Sequence, residues 1–422
     1  MKIYRYLKKL FLIFKVSINL FLKILITPKK NIIFLDGGFG VISTHCYSIP
    51  FLYKRENTLV FWLIKKEFNP VEMIDLWKSN LDVASIDLNK INGYFLNLSV
   101  KEILFFILKK IIKLRNKNFI NFYQFDINFT KKFGIKEYEN LEKKNKGYDD
   151  ISNFHNEKNL KKYKITRSPY LSQIVKGDKS KKAILRYDSK IYKSYLPLKK
   201  NNYFKYYMLY IRDRKTTSLE GNSRNGSNLS DYIPSIKYLK NKKYIPLING
   251  DYQKKDIRKL KKEKISFYEY KTLNLSRVLF YQLSTITSDF VISEYGGGTC
   301  FPFTQKKKML LLNVFPISGG YGNSLIFPKI FNKKDNKISS LKKLFEKKAF
   351  LEFFEKDEFR KLNDKEILLA TKEFINNFFQ KNKTRKDKIS RMNCNFSNYL
   401  KTTKYSYNYL KIQNRLFKNI QK

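Results

Sequence analysis

The sequence predicts an α/β protein with two parallel sheets, each wrapped by its own helices. Three observations lead there. Short apolar runs alternate with helical patterns in both halves of the chain, the order that builds parallel sheets through crossover helices. At 422 residues, with 43% hydrophobic and 16% aromatic content, the chain has length and apolar material for two cores. A polar, weakly periodic stretch from about 130 to 200 separates the two alternating regions. The expected organisation is therefore an amphipathic helix at 1–30, an N-terminal domain at 31–195 with a linker or insertion from about 130, a second domain at 196–335, and a basic helical region at 336–422.

Residues 1–26 are apolar but carry Arg5, Lys8, Lys9, Lys15 and Lys23, so no run reaches the ~20 apolar residues of a spanning helix. At ~100° per residue these five and Asn19 fall in one sector, with most of the leucines, isoleucines and phenylalanines around the rest. That pattern suits a helix lying in an anionic membrane surface; the alternative is a helix packed on its own domain. Asn31 to Leu35 reads as a buried strand, Thr58 to Ile64 as the next, and Asn69-Pro70-Val71 opens a helix through Trp77. A stripe from Val100 to Leu114 predicts a sheet-covering helix.

In the second half, Phe204 to Ile211 is an aromatic strand ending at Arg212-Asp213-Arg214. Ser230 is the expected N-cap of a helix from Asp231 to Lys240. Tyr244 to Ile248 then forms a strand that contains Pro246 and ends at Asn249-Gly250-Asp251. A helix at Leu275 to Ser284, a strand at Phe290 to Ser293, a helix from Thr299 to Thr304 and a strand at Met309 to Leu312 follow. Asp364-Lys365-Glu366-Ile367 opens an amphipathic helix in the basic tail.

Lys and Arg total 86 against 36 Asp and Glu, a formal charge of +50. Acidic partners are implied: nucleic acid, nucleotide phosphates or anionic lipid. Part of the excess is coding bias, because Lys, Asn, Ile, Phe and Tyr are abundant together, as A+T-rich codons dictate. The lysines are spread along the chain rather than gathered in a stripe with exposed aromatics, so no specific nucleic acid is expected. A non-enzymatic nucleic-acid binder and an inactive membrane-associated scaffold are the competing readings. The cysteines are Cys46, Cys300 and Cys394, the histidines His45 and His155, and neither CxxC nor HExxH occurs. Zinc fingers, zinc hydrolases and disulfide frameworks are thereby disfavoured, and a reduced, cytoplasmic setting is expected.

Sixteen glycines occur, and nine sit in three clusters: Gly37-Gly38-Phe39-Gly40, Gly296-Gly297-Gly298 and Gly319-Gly320-Tyr321-Gly322. Clustering in a glycine-poor chain marks sharp turns or close approach to a ligand. A strand that ends in a glycine turn and starts a helix aims backbone N–H groups at one point, which suits phosphate. Gly296, Gly297, Gly298 and Thr299 have that context, with Ser293 as a further donor. Arg212 stands at a strand's carboxyl end, where open α/β sheets place ligands, and guanidinium grips phosphate bidentately. Arg214, Arg224 and Asn225 lie close behind it. Neither GxGxxG nor GxxxxGK is present. Asp36 and His45, flanking the first glycine loop, are the candidate proton acceptors.

The run Gly37-Gly38-Phe39-Gly40, then Asn69 and Trp77, resembles the opening of glycosyltransferases from bacterial surface-polysaccharide and O-antigen gene clusters. Tyr210-Ile211-Arg212-Asp213-Arg214, Arg224-Asn225, Tyr232, Pro234, Ile236 and Gly250-Asp251 are similar to that family's middle. Ser288 to Ile292, the triple glycine, Asn313, Pro316, Ile326-Phe327-Pro328-Lys329 and the stretch Leu362 to Phe374 complete the likeness over residues 31 to 376. The resemblance implies a GT-B-like architecture, two Rossmann-type domains facing across a cleft, with fucosyltransferase-like nucleotide-sugar sites. It places the donor diphosphate on Arg212, with Gly250 in the donor domain and Gly37, Gly38, Phe39 and Gly40 on the acceptor side. It also implies a growing cell-surface glycan as acceptor, carried on lipid in the family's usual setting, at the inner face of the plasma membrane. The nucleotide-diphosphate sugar is then a co-substrate, and no cofactor is expected. Nor is a metal, since the acidic pair Asp149-Asp150 lies in the linker. Val41 stands where the family often has histidine, and no basic residue precedes Gly250 between Pro246 and Asn249.

Overall fold

The structure is a computed structural model; it describes residues 2–36, 55–64, 71–77, 81–87, 110–112, 115, 117–123, 185, 187–200, 203–212, 226–294, 296–314, 324–331, 359–380, 390–391, 404–406, 408 and 411–412. The chain divides into two compact units, Met1–Tyr187 and Asp188–Lys422.

The first unit opens with α1 (Lys2–Ile26). No glycine or proline interrupts its 25 residues, and Pro28 marks its end. Lys117 Nζ caps that end, donating to the carbonyls of Thr27 and Lys29. Leu20 and Ile24 are buried against the unit, so the C-terminal half of α1 is an integral element. Four strands follow: β1 (Asn31–Asp36), β2 (Thr58–Ile64), β3 (Asp82–Asp87) and β4 (Asn118–Tyr123), all parallel in the order β3-β2-β1-β4. Ile32, Ile33, Val60 and Phe61 are fully buried, the near-continuous apolar run of strands covered on both faces. The short helix α2 (Val71–Asp75) lies between β2 and β3 and leads to a buried Trp77. Chain order reverses between β1 and β4, which makes that pair the sheet's switch point.

The second unit begins with α3 (Ser189–Lys200), a helix where composition predicts polar linker. Ile191 and Leu198 are buried while Tyr192 and Leu196 are exposed, so its apolar residues do not form one readable stripe. Its sheet contains β5 (Lys205–Arg212), β6 (Tyr244–Asp251), β7 (Phe290–Glu294), β8 (Lys308–Val314) and β9 (Ser324–Pro328), parallel in the order β9-β8-β7-β5-β6. Here the switch point is the β5–β7 pair. Pro246 is tolerated because β6 ends the sheet, and β6 pairs with β5 from Tyr244 through Asp251. The connecting helices are α4 (Ile233–Lys240), α5 (Lys254–Lys262), α6 (Arg277–Thr287) and α7 (Cys300–Thr304). A 3-10 turn, Leu229–Tyr232, precedes α4, so Ser230 is not the cap: the turn starts after Asn228, whose N–H donates to the Asp231 carboxylate at 2.9 Å.

The tail is more than helix. Short strands β10 (Ile330–Phe331) and β11 (Phe359–Arg360) pair antiparallel. Helix α8 (Asp364–Glu373), capped by Asn363 with Glu366 reaching back, runs into a π-helical turn at Phe374–Phe379. Phe374 and Phe379 pack on Phe290 of β7 with ring centroids 5.5 and 4.9 Å away, so this helix covers the sheet's centre. Of β12 (Ser390–Arg391) and β13 (Lys404–Tyr405), the latter extends the sheet alongside β9. No helix among the described residues is long and apolar enough to cross a membrane.

Candidate functional site

The carboxyl ends of four adjacent parallel strands deliver Arg212 (β5), Glu294 (β7), Asn313 (β8) and, one residue beyond β9, Lys329 to one end of the second sheet. Two of these strands form the switch point, where crossovers leave in opposite directions and a crevice opens.

Arg212 is the last residue of β5, and its guanidinium lies over Gly296. A Cβ at that glycine would stand 2.6 Å from Arg212 Nη1, so glycine is what lets the cation sit there. Beneath the same turn lies the ring of Tyr210, 2.2 Å from where a Cβ of Gly298 would be. Tyr281 donates its hydroxyl to the Gly298 carbonyl at 2.9 Å, and Thr299 donates both N–H and hydroxyl to the Gly296 carbonyl at 3.0 and 2.6 Å. The turn is thus tied down through its carbonyls. Gly297 is its exposed member.

Sequence reasoning placed Arg212 and the glycine turn at the same end of one sheet, and the structure brings them into contact. Other expected residues have different duties. Ser293 is buried and donates to the Glu294 carbonyl at 2.9 Å, and the Thr299 hydroxyl is engaged as described. Gly250 has φ +90°, and a Cβ there would lie 2.1 Å from the carbonyl oxygen of Ile211 opposite it, so it serves the β5–β6 pairing. The glycine turn does not open a long helix: a 3-10 turn, Gly297–Thr299, leads into the five residues of α7. So short an element supplies little macrodipole, and charge at this end comes from side chains. Arg214, Arg224 and Asn225 lie outside the described residues, as do Gly37, Gly38, Phe39, Gly40 and His45; Asp36 closes β1, at the first sheet's switch point.

Sequence reasoning missed the polar hub behind Arg212. Glu294 is fully buried and accepts four hydrogen bonds: from Arg212 N (2.7 Å), Ser227 N (2.5 Å), the Tyr232 hydroxyl (3.0 Å) and Asn313 Nδ2 (3.0 Å). Burial pushes its carboxyl up from the ordinary range, and these donors pull the other way. Asn313 sits at a β-bulge with φ +50°, a left-handed conformation that asparagine tolerates. From there it also reaches Ser227 Oγ at 2.9 Å and accepts from Leu362 N at 2.8 Å. The hub therefore fixes the end of β5, the backbone at Ser227, the β8 bulge and the approach to α8 as one piece. Lys329, 3% exposed, feels Glu294, Lys361 and Arg212, and burial lowers its ammonium to about 8. One signal was legible: an acidic residue wedged between an apolar strand and a glycine turn in a chain dominated by lysine. Among the described residues no three His, Cys, Asp or Glu side chains converge on a metal position.

No family model matches the chain, and no curated protein does. Solved structures with similarity include a glycosyl transferase family 9 protein from Veillonella parvula, at 10% identity and TM-score 0.47, covering 82% of this chain and 97% of that one. E. coli ADP-heptose lps heptosyltransferase II is similar at 7% identity and TM-score 0.44, over 84% of this chain and 100% of the other. UDP-GlcNAc 2-epimerase from Neisseria meningitidis, bound to UDP-GlcNAc, is similar at 11% identity and TM-score 0.40, over 83% and 100%. At such scores the fold assignment stands on the sheet orders and registers above: this is an α/β chain with two Rossmann-like parallel sheets.

Proposed function

We propose that the chain is a GT-B-like glycosyltransferase whose second unit binds a nucleotide-diphosphate sugar. The observation that carries the reading is the Arg212 guanidinium seated on the Gly296 turn at the β5–β7 switch point. An anion entering that crevice meets a planar fork of donors whose backbone is anchored by Glu294. In glycosyl transfer the bond from the anomeric carbon to the diphosphate breaks, and negative charge grows on the departing oxygen. A cation already in place stabilises that charge without reorganisation, and in this reading no metal is required. The acceptor hydroxyl forms the new bond and yields its proton to a base, for which the sequence offers Asp36 and His45. The sequence resemblance supports a hexosyl or deoxyhexosyl transfer with a fucosyltransferase-like donor site, and a bacterial surface polysaccharide such as O-antigen as product.

The same reading puts the protein at the cytoplasmic face of the plasma membrane, where lipid-linked glycans grow. Helix α1 supports it with two apolar sides. Leu20 and Ile24 face the unit, while Phe11, Phe14, Ile18 and Leu22 are exposed, the first two by 66% and 64%, beside exposed Lys15 and Lys23. Aromatic residues flanked by lysines fit the interface of an anionic bilayer. The deciding experiment is a calorimetric screen of UDP-, GDP-, CMP- and dTDP-sugars against the full chain, with single-stranded nucleic acid in parallel. Binding of one sugar-nucleotide class supports the proposal. Tight nucleic-acid binding with no nucleotide-sugar binding refutes it.

A further inference from the structure

We propose that helix α5 of the second unit is a polybasic docking face for an anionic bilayer, a contact separate from α1 and independent of the donor site. Lys254, Lys255, Arg258, Lys259, Lys261 and Lys262 are all exposed, while the other three residues of the helix, Asp256, Ile257 and Leu260, are buried. Every side chain that α5 shows to solvent is therefore a cation. Coding bias does not account for this. The whole chain has 86 basic residues to 36 acidic ones, a ratio at which six cations would be accompanied by two or three acids. Nor does the helix gain from the arrangement. Lys254 and Lys255 occupy its first turn, where the macrodipole disfavours positive charge. The i,i+4 neighbours Lys254 and Arg258, Lys255 and Lys259, and Arg258 and Lys262 are like-charged, which works against a helix. A surface that weakens its own helix fits a partner that supplies the negative charge.

The face is broad and firmly mounted. Ile257 and Leu260 anchor α5, and the segment after it returns to β6, where the Tyr268 carbonyl accepts from Ile248 N at 2.8 Å and Tyr268 N donates to the Pro246 carbonyl at 3.1 Å. Lys237 of α4 reaches Glu263 at 2.7 Å, which brings the C-terminal ends of α4 and α5 together, and Lys240, Lys242 and Lys243 are exposed at the end of α4 and just beyond it. Five of the six cations of α5 are lysines, flexible point charges that suit the spread charge of lipid headgroups better than the fixed phosphate geometry an arginine fork reads. A single-stranded nucleic acid would need exposed rings on which to stack. Among the described residues α4 and α5 expose no large apolar side chain, and the half-buried Tyr238 ring lies under Lys242 and Lys372, 5.3 and 5.7 Å from its centroid. Adsorption through this face is electrostatic, each cation near an anionic surface contributing about five-fold to partitioning. Stable anchoring takes two signals, and α5 supplies the polybasic one beside the aromatic one of α1.

The test is co-sedimentation of the full chain with vesicles of phosphatidylcholine alone and of phosphatidylcholine mixed with phosphatidylglycerol, at low and physiological salt. The wild type is expected to prefer the phosphatidylglycerol vesicles, less so as salt rises. A variant carrying Lys255→Gln, Arg258→Gln, Lys259→Gln and Lys262→Gln should partition about ten- to hundred-fold more weakly, less than the product of four such factors because salt screens exposed charge. Its melt should be unchanged or raised, since like-charged neighbours are removed. A second variant, Lys255→Arg, Lys259→Arg and Lys262→Arg, keeps the charge and should bind as the wild type does. Wild-type partitioning of the glutamine variant overturns the proposal, as does loss of binding by a folded arginine variant. Equal partitioning of the wild type onto both kinds of vesicle overturns it too. Phe11→Ser with Phe14→Ser reads α1 separately: if that variant binds normally while the glutamine variant does not, α5 stands and the reading of α1 falls. Duplex DNA that binds the wild type tightly and the glutamine variant weakly, with no preference for phosphatidylglycerol, would assign the face to nucleic acid instead and overturn the proposal.

Discussion

Replacing Gly298 by alanine tests how much of the site depends on close approach of its turn. The new Cβ would stand 2.2 Å from Cζ of Tyr210 and 2.3 and 2.4 Å from its two Cε atoms. Ordinary contact begins at 3.4 Å, so ring and turn must separate by about 1.2 Å. Neither yields easily. The Tyr210 ring meets Tyr281 edge-on, with centroids 6.0 Å apart, and Tyr281 in turn holds the Gly298 carbonyl. Moving the ring disturbs the pair, and lifting the turn breaks the hydroxyl bond and displaces Gly296 from beneath Arg212. Forcing a methyl into such a contact costs about 1–3 kcal/mol. For a unit of this size that lowers the thermal midpoint by about 2–12 °C. The assay is a thermal or urea melt followed by calorimetric titration with pyrophosphate, with Gly297→Ala, at the exposed position of the same turn, as control. Gly298→Ala should melt lower and bind more weakly, while the control does neither. Wild-type behaviour of Gly298→Ala would mean that the packing of the turn on Tyr210 does not govern the site.

Arg212→Ala should weaken nucleotide-sugar binding by about ten- to hundred-fold with an unchanged melt, and Arg212→Lys should recover only part of it, as titration calorimetry will read. Glu294→Ala leaves three buried donors and the half-buried Arg212 N–H without their acceptor, each loss worth about 1–3 kcal/mol, and should yield little folded protein; Glu294→Gln, whose carbonyl oxygen can replace Oε1, should lose only the Arg212 N–H contact and shift the urea midpoint by one such increment. Phe11→Ser with Phe14→Ser should abolish flotation with vesicles containing phosphatidylglycerol and leave the melt unchanged, since neither ring is buried. Removing residues 1–28 is a blunter test, because it also strips Leu20 and Ile24 from the first unit, so lowered stability should accompany any loss of flotation.

What the sequence disclosed and what it hid divide along the range of the interactions. Strands β1, β2, β5 and β7 were legible because buried parallel strands are continuous apolar runs, and Arg212 and Gly296 were legible because they end such runs. Strand β3 reads Asp-Val-Ala-Ser-Ile-Asp and has no such run; pairing with β2 makes it a strand. Helix α3 contains Pro197 and exposes Tyr192 and Leu196, so periodicity fails although Ile191 and Leu198 are buried against the unit. The Glu294 hub was hidden for another reason. Its members around Glu294 are Arg212, Ser227, Tyr232, Asn313 and Leu362, contributed by four separate segments, and no local spacing announces their convergence.

Net charge illustrates the same division. A surplus of fifty positive charges says little about where an anion binds, because lysines lie along the whole chain. Sheet topology says more. In the second unit the order β9-β8-β7-β5-β6 opens a crevice between β5 and β7, and a glycine turn and an arginine stand at those two strand ends. In the first unit the order β3-β2-β1-β4 puts the corresponding crevice between β1 and β4, and the chain leaves β1 at Asp36 directly into Gly37-Gly38-Phe39-Gly40. Two of the three glycine clusters of a glycine-poor chain thus follow strands that border a switch point. Chance placement would scatter them among all the strand ends. In the second unit that turn lets the Arg212 guanidinium lie over Gly296, which supports the donor site proposed there, while Asp36 ends the strand that borders the first unit's switch point, where the proposed base falls.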